Sequence, residues 1–245
     1  MPIQRFTARV AVVRQLTHDV RQVDFELIDP PEISFRAGQF ISFEVPDLRT
    51  GRPVTRPYSI ASGPNSVGTV SLVLNLVPHG PGSTYLFGLK VGDRTTFAGP
   101  AGNFYLRDDP TRELLFVATG TGIAPIRSML LANAERPQPA RSTVFWGLRS
   151  ERDLYFEDDV VRLTGVVPGS VHVITLSRPA SGWTGASGRV TALVQRQIQD
   201  VRGLAVYVCG NSGMITDVSG IIQSKGLCPI FREKYYDDAP GGGEG

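Results

Sequence analysis

Cysteine is scarce in this chain: 245 residues carry two, Cys209 and Cys228. An iron–sulfur cluster normally takes a full set of cysteine ligands, so the chain holds none by itself. Histidine is almost as rare, and His18, His79 and His172 are scattered without metal-ligand spacing. No charge of one sign dominates. The 25 Lys and Arg against 23 Asp and Glu leave a formal +2, which excludes nucleic acid or an anionic membrane as a bulk electrostatic partner. Long apolar runs are also missing, with nothing approaching the roughly 20 residues that span a bilayer. The first residues alternate instead, Ile3, Phe6, Ala8 and Val10 against Gln4, Arg5, Thr7 and Arg9, as a strand does and a signal peptide does not. A cytoplasmic location is the expectation. The chemistry must come from side chains or from a bound organic cofactor.

What is present falls into two patterns. Through about residue 110 the chain reads as all-β, with strands over Arg5–Leu16, Arg21–Leu27, Gln39–Val45, Val54–Ile60 and Thr69–Val77. Asp29-Pro30-Pro31, Gly63-Pro64-Asn65 and Pro78-His79-Gly80-Pro81-Gly82 punctuate them, and one short helix is expected over Ser83–Leu89. Such a run of short strands implies an antiparallel β-barrel. After Asp108-Asp109-Pro110, apolar runs alternate with helical stretches. The runs are Leu114–Ala118, Ser142–Leu148, Val171–Leu176, Leu204–Cys209 and Pro229–Tyr236, and the helices are Ala124–Ala134, Leu154–Leu163, Val190–Ile198 and Met214–Ser224. That alternation implies a parallel sheet with helices on both faces. The expected domains are therefore 1–110 and 111–236, with residues 237–245, ending in the Gly-rich Pro240–Gly245, as a flexible tail.

Leu114–Ala118 runs directly into Thr119-Gly120-Thr121-Gly122-Ile123-Ala124-Pro125, a buried strand, a Gly-rich turn and a helix start with proline near its first position. Backbone N–H groups at such a terminus favour a pyrophosphate, and Gly120 and Gly122 let it approach. The strict G-x-G-x-x-G is absent, because Pro125 replaces the third glycine. Taken alone, the loop also suits a tight structural turn. The next strand ends in Phe145-Trp146-Gly147-Leu148-Arg149-Ser150, where an arginine suits a 2′-phosphate and an acid suits a free ribose. Glu151 and Asp153 blur that signal, while Arg178 and Arg189 after the following strand add to a phosphate clamp. The balance favours NADPH over NADH.

Arg56-Pro57-Tyr58-Ser59 follows a strand of the first domain and resembles the R-x-Y-[ST] flavin signature of the ferredoxin–NADP(+) reductase family. Gly82-Ser83-Thr84, Gly120-Thr121-Gly122-Ile123-Ala124-Pro125 and Cys209-Gly210-Asn211-Ser212-Gly213-Met214 match the same family in order, so the resemblance runs from Arg5 to Tyr236. It implies an FAD-binding barrel, with FMN the less favoured flavin, followed by an NAD(P)H-binding α/β domain.

The resemblance also implies roles. Arg56, beside Pro57, neutralises the flavin pyrophosphate, with the helix start at Gly82, Ser83 and Thr84 as second anchor. Tyr58 stacks on the isoalloxazine and Ser59 bonds its N5 edge. Gly120, Thr121, Gly122 and Pro125 hold the nicotinamide dinucleotide, and Gly210 and Met214 wall its nicotinamide half. Cys209 aligns the nicotinamide without acting as a covalent nucleophile. Glu233 is a proton or hydrogen-bond partner near the ring, and either Tyr235 or Tyr236 covers the flavin face. Nine residues follow Tyr236, unlike the plant-type members, so the choice between the two tyrosines stays open.

The implied activity is hydride transfer between nicotinamide C4 and flavin N5, with electrons passed to a separate one-electron carrier such as ferredoxin or flavodoxin. The alternatives are a reductase component of a multicomponent oxygenase and a non-catalytic flavin-binding subunit. The intact set of motifs argues against the latter.

Overall fold

The computed structural model describes residues 3–47 and 50–236. The side chain of Tyr236 and the expected tail 237–245 lie outside the described residues. Contacts divide the chain into two units, one of Met1–Leu106 with Arg127–Ala132, the other of Arg107–Ile126 with Asn133–Gly245.

The first unit contains β1 (Gln4–Gln15), β2 (Val20–Asp29), β3 (Phe40–Pro46), β4 (Pro53–Ser59), β5 (Thr69–Asn75), α1 (Pro81–Gly88) and β6 (Arg94–Ala101). The strands form one antiparallel sheet in the order β4-β3-β6-β1-β2-β5. Its two edge strands meet at a single bridge, Ile60 with Leu72, so the sheet curls into a barrel without a complete closing ladder. Alternation along β1 sends Phe6, Ala8 and Val10 inward, where Phe6 stacks on Phe97 at 5.3 Å and Phe43 meets Phe97 at 5.6 Å. Each such ring pair adds about 0.5–1.5 kcal/mol beyond the apolar area it buries.

The strands expected from sequence do not include β6, which is central to the sheet. Gly99-Pro100 breaks its strand signal, since proline removes a ladder donor. The fold tolerates it through a register shift between Phe40↔Ala101 and Ser42↔Ala98. Pro53 and Pro57 raise no such conflict, because β4 is an edge strand.

The second unit runs β7 (Glu113–Thr119), α2 (Ile123–Ala134, of which Arg127–Ala132 belong to the first unit), β8 (Ser142–Leu148), α3 (Glu157–Gly165), β9 (Val171–Leu176), β10 (Ala186–Ser187), α4 (Val190–Gln197), β11 (Leu204–Asn211), α5 (Ser212–Ser224) and β12 (Ile230–Tyr236). All pairings in its sheet are parallel, in the order β10-β9-β8-β7-β11-β12. Leu114 to Ala118 are all buried, as a strand covered on both faces must be. Leu115 and Val117 pack with Val190, Leu193 and Val194 of α4 and Ile215, Val218 and Ile222 of α5.

The chain order reverses between β7 and β11, which makes the carboxyl ends of these two strands the switch point where open α/β sheets bind ligands. The helix expected from Leu154 begins only at Glu157. A 3-10 turn over Glu151–Asp153, closed by a Ser150–Asp153 capping box, comes first, and Phe156 takes a left-handed φ of 55°. Glu157, Asp158 and Asp159 then complement the dipole of α3.

Candidate functional site

In the first unit, the edge position of β4 leaves Arg56 and Pro57 exposed, half-buries Tyr58 and buries Ser59. Tyr58 stands edge-on to Phe43, with centroids 6.0 Å apart at 72°. Burial pushes its phenol well above the ordinary tyrosine range, so it is neutral at every working pH. Gly82 closes this corner: a Cβ there would run into the Tyr58 hydroxyl and lie 2.9 Å from Arg56 Cβ. The sequence motifs around Arg56 and Gly82 therefore converge on one place, and only glycine leaves it open.

The start of α1 behind Gly82 has Pro81 at its first turn, and its leading N–H groups lack intrahelical acceptors. The Ser83 hydroxyl turns away from this terminus. It donates to the carbonyls of Gly80 (3.1 Å) and Val77 (3.3 Å) and accepts from the Val77 N–H, so Ser83 has only its backbone to offer a ligand. Thr84 is exposed. The segment after Ser59 is pinned by Arg127, which donates to the Ala61 carbonyl at 2.7 Å, and by Ser128, which donates to the Ser62 carbonyl at 2.7 Å. A cation over an open, glycine-lined corner beside a half-buried aromatic fits a dinucleotide flavin.

In the second unit, Gly120–Gly122 form a 3-10 turn that carries β7 into α2. The buried Trp146 indole donates to the Gly120 carbonyl at 3.0 Å and fixes this turn, a contact that sequence alone did not reveal. Gly122 lies against the Cys209 carbonyl, where any Cβ would collide with backbone. Thr121 and Pro125 are buried behind the turn. The Thr119 hydroxyl, next to Gly210, is buried without a hydrogen-bond partner among the described residues. Buried polar atoms are nearly always satisfied, so this orphan fits a bound nucleotide at the switch point. Met214 is in the helix–sheet core, with its N–H capped by Asn211 Oδ1 at 2.8 Å.

Cys209 is fully buried and pairs across the ladder with Glu233. Burial, and secondarily the Glu233 carboxylate, hold its thiol well above the ordinary value, so it stays protonated and is no nucleophile. The Tyr235 side chain acts on the thiol in the opposite, lowering direction. Burial pushes the Glu233 carboxyl up to about 7. Strand alternation places Glu233 and Tyr235 on one face of β12.

A groove of about 680 Å³ opens beyond β8 and β9, lined by Ser150, Glu151, Arg152, Arg178, Pro179 and Trp183 among others. Arg178 is at this groove, whereas Arg149 and Arg189 are exposed and not among its lining residues. Arg152, which no sequence motif singles out, joins Arg178 instead. Both acids that blurred the sequence signal have backbone partners. Glu151 accepts from the Ala180 N–H at 2.8 Å, and Asp153 accepts from the Ser150 N–H at 2.8 Å and its hydroxyl at 2.7 Å.

Residues 7–105 match the oxidoreductase FAD-binding domain family and residues 116–220 the oxidoreductase NAD-binding domain family. Ferredoxin–NADP reductase B of Sorangium cellulosum is 35% identical over 226 residues, covering 90% of this chain and 92% of that protein. The chain belongs to the ferredoxin–NADP(+) reductase family. Other members extend the relationship. The ferredoxin–NAD(P)(+) reductase component of naphthalene 1,2-dioxygenase/salicylate 5-hydroxylase systems from Ralstonia is 31% identical, covering 96% of this chain and 70% of that protein. The crystal structure of Amycolatopsis cytochrome P450 reductase GcoB superposes with a TM-score of 0.86 at 26% identity, covering 97% of this chain and 71% of that one. As a family member the chain is an oxidoreductase that binds FAD and NAD(P)H. Among the described residues no helix is long and apolar enough to cross a membrane.

Proposed function

We propose that the protein transfers electrons from NADPH, in preference to NADH, to a separate one-electron carrier of the ferredoxin or flavodoxin class. The observation that carries the NADPH preference is the groove with Arg152 and Arg178, whose neighbouring acids Glu151 and Asp153 are engaged by backbone N–H groups. Two guanidinium groups suit a dianionic 2′-phosphate, and acids already bonded to the loop compete less for it. Two cysteines fall short of the four that a cluster normally takes, which favours a carrier outside these 245 residues. Their unpaired state fits a cytoplasmic setting.

When bound, FAD supplies the conversion of a hydride pair into single electrons. The chain's own residues bind and orient. In this reading Arg56 and the start of α1 hold the flavin pyrophosphate, Tyr58 gives the ring an aromatic wall, and Ser59 offers a buried hydroxyl to its N5 edge. Gly120 to Gly122 receive the nicotinamide dinucleotide, and Cys209, kept protonated, lines the nicotinamide. Glu233, with a pKa of about 7, holds or releases a proton at its carboxyl close to neutral pH. Tyr235, on the same face of β12 as Glu233, acts beside that thiol. The proposed boundary between flavin and nucleotide domains is near residue 110.

A second reading, the reductase component of a multicomponent oxygenase, is favoured by the Ralstonia relative. Steady-state reduction of a ferredoxin, a flavodoxin and an oxygenase component, each with NADPH and with NADH, separates the two. Higher kcat/KM with NADPH and a free ferredoxin or flavodoxin supports the first reading. Preference for NADH and an oxygenase component overturns it.

A further inference from the structure

We infer that Arg107 is a positioning residue for this reaction, holding together the ends of β11 and β12 that carry Cys209 and Glu233. The inference rests on the roles proposed for those two residues. In the parallel ladder Tyr207 pairs with Phe231, and one pleat further on Cys209 pairs with Glu233. The two-residue period puts Tyr207 and Cys209 on one face of β11, and Phe231 and Glu233 on the same face of β12.

On that face the rings form a continuous row. Phe116 of β7 meets Tyr207 at 5.4 Å, and Tyr207 stacks on Phe231 at 4.8 Å with 27° between their planes. Arg107 fastens both ends of the second contact. Its backbone N–H donates to the Tyr207 hydroxyl at 2.9 Å, and its guanidinium carbon lies 4.9 Å above the Phe231 ring. Arg107 is itself fixed, since Arg136 donates to its carbonyl at 2.7 Å.

The arrangement matters because β12 is an edge strand, with ladder support from β11 alone. Any looseness in Phe231 reaches Glu233 two residues later. Burial is what raises the Glu233 carboxyl, so Arg107 acts on it through the placement of the strand and not through its charge. A guanidinium over the ring also adds an electrostatic attraction that an aliphatic cover would lack.

The test uses the FAD-loaded enzyme, with anaerobic stopped-flow reduction of the flavin by NADPH for wild type, Arg107→Ala and Arg107→Lys. Arg107→Ala should keep its FAD and a KM within about twofold, while the flavin-reduction rate falls about tenfold, as a small misplacement of reacting groups allows. Arg107→Lys keeps a cation over the ring and should recover a rate between the two. A purely structural role would lower thermal stability and leave the rate untouched. An unchanged rate in Arg107→Ala, a loss confined to KM, or an Arg107→Lys as slow as the alanine overturns the inference. Should Arg107→Ala yield no folded flavoprotein, Phe231→Leu is read in its place. It keeps an apolar cover on Tyr207 but removes the ring beneath the guanidinium, and the same split between rate and KM is expected, with an unchanged rate counting against the role. A wild-type flavin that NADPH does not reduce would instead sink the functional reading, and this role with it.

Discussion

Glu233 stands directly across the parallel ladder from Cys209, and both are drawn out of water by the same strand pair. Burial raises the pKa of each, which leaves a neutral thiol beside a carboxyl that titrates at about 7.

That carboxyl links stability to pH. Its folded-state pKa is above the ordinary 4.5, so its favourable contribution is complete below that value and disappears as pH rises through about 7. Glu233→Gln removes the titration. The melting temperature of the variant, measured against wild type from pH 5 to 8, should gain on it up to about pH 7 and then level off. A difference that does not change with pH counts against the buried carboxyl.

In the proposed function the corner between Arg56 and Gly82 holds the flavin. Gly82→Ala should favour α1 itself by up to about 1 kcal/mol, since alanine is the better helix former. Its Cβ nonetheless enters the space of the Tyr58 hydroxyl and Arg56. The expected outcome is a folded protein whose FAD affinity, measured by reconstituting the apoprotein, falls at least about tenfold, roughly 1.4 kcal/mol. Unchanged affinity would separate Gly82 from the flavin site.

Arg21 supports the same site from behind. Its guanidinium donates to the Phe87 carbonyl at 2.6 Å at the end of α1 and lies 4.5 Å from the Phe87 ring centroid. Together a charged hydrogen bond and a cation–π contact contribute about 2 kcal/mol. Arg21→Ala should therefore release FAD at a lower temperature than wild type, as followed by flavin fluorescence on heating, while Arg14→Ala on the neighbouring strand should not.

Arg178→Ala and Arg152→Ala should each raise KM for NADPH by about tenfold and spare NADH, because a charged hydrogen bond to a phosphate contributes about 1.5–3 kcal/mol. Arg189→Ala, outside the groove lining, should change both little. Equal losses with the two cofactors would show that the groove does not read the 2′-phosphate.

These residues differ in how far sequence alone exposes them. Arg56, Tyr58, Gly82, Gly120 and Gly122 occupy turns and strand ends whose chemistry is local, so short motifs single them out as candidates. The alternation of apolar runs likewise locates β7, β8, β9 and β11 closely. Strand β6 was hidden because Gly99-Pro100 mimics a turn, and only its neighbours β1 and β3 supply the pairing that overrides it. Trp146, Arg107 and Arg152 were hidden for another reason. Each acts through a partner 26 or more positions away, or through a groove built from two separate loops. The acids Glu151 and Asp153 blur the cofactor signal in sequence, and their hydrogen bonds to the backbone change what the groove presents.

The account turns on a flavin that a nicotinamide reduces and a separate carrier reoxidises. Its most direct test is anaerobic titration of the purified protein with NADPH, followed by addition of oxidised ferredoxin or flavodoxin, with the flavin absorbance recorded throughout. The expected result is a yellow protein that bleaches with NADPH and regains its colour as the carrier is reduced. A colourless protein that binds no FAD, or a yellow one that neither NADPH nor NADH bleaches, would contradict it.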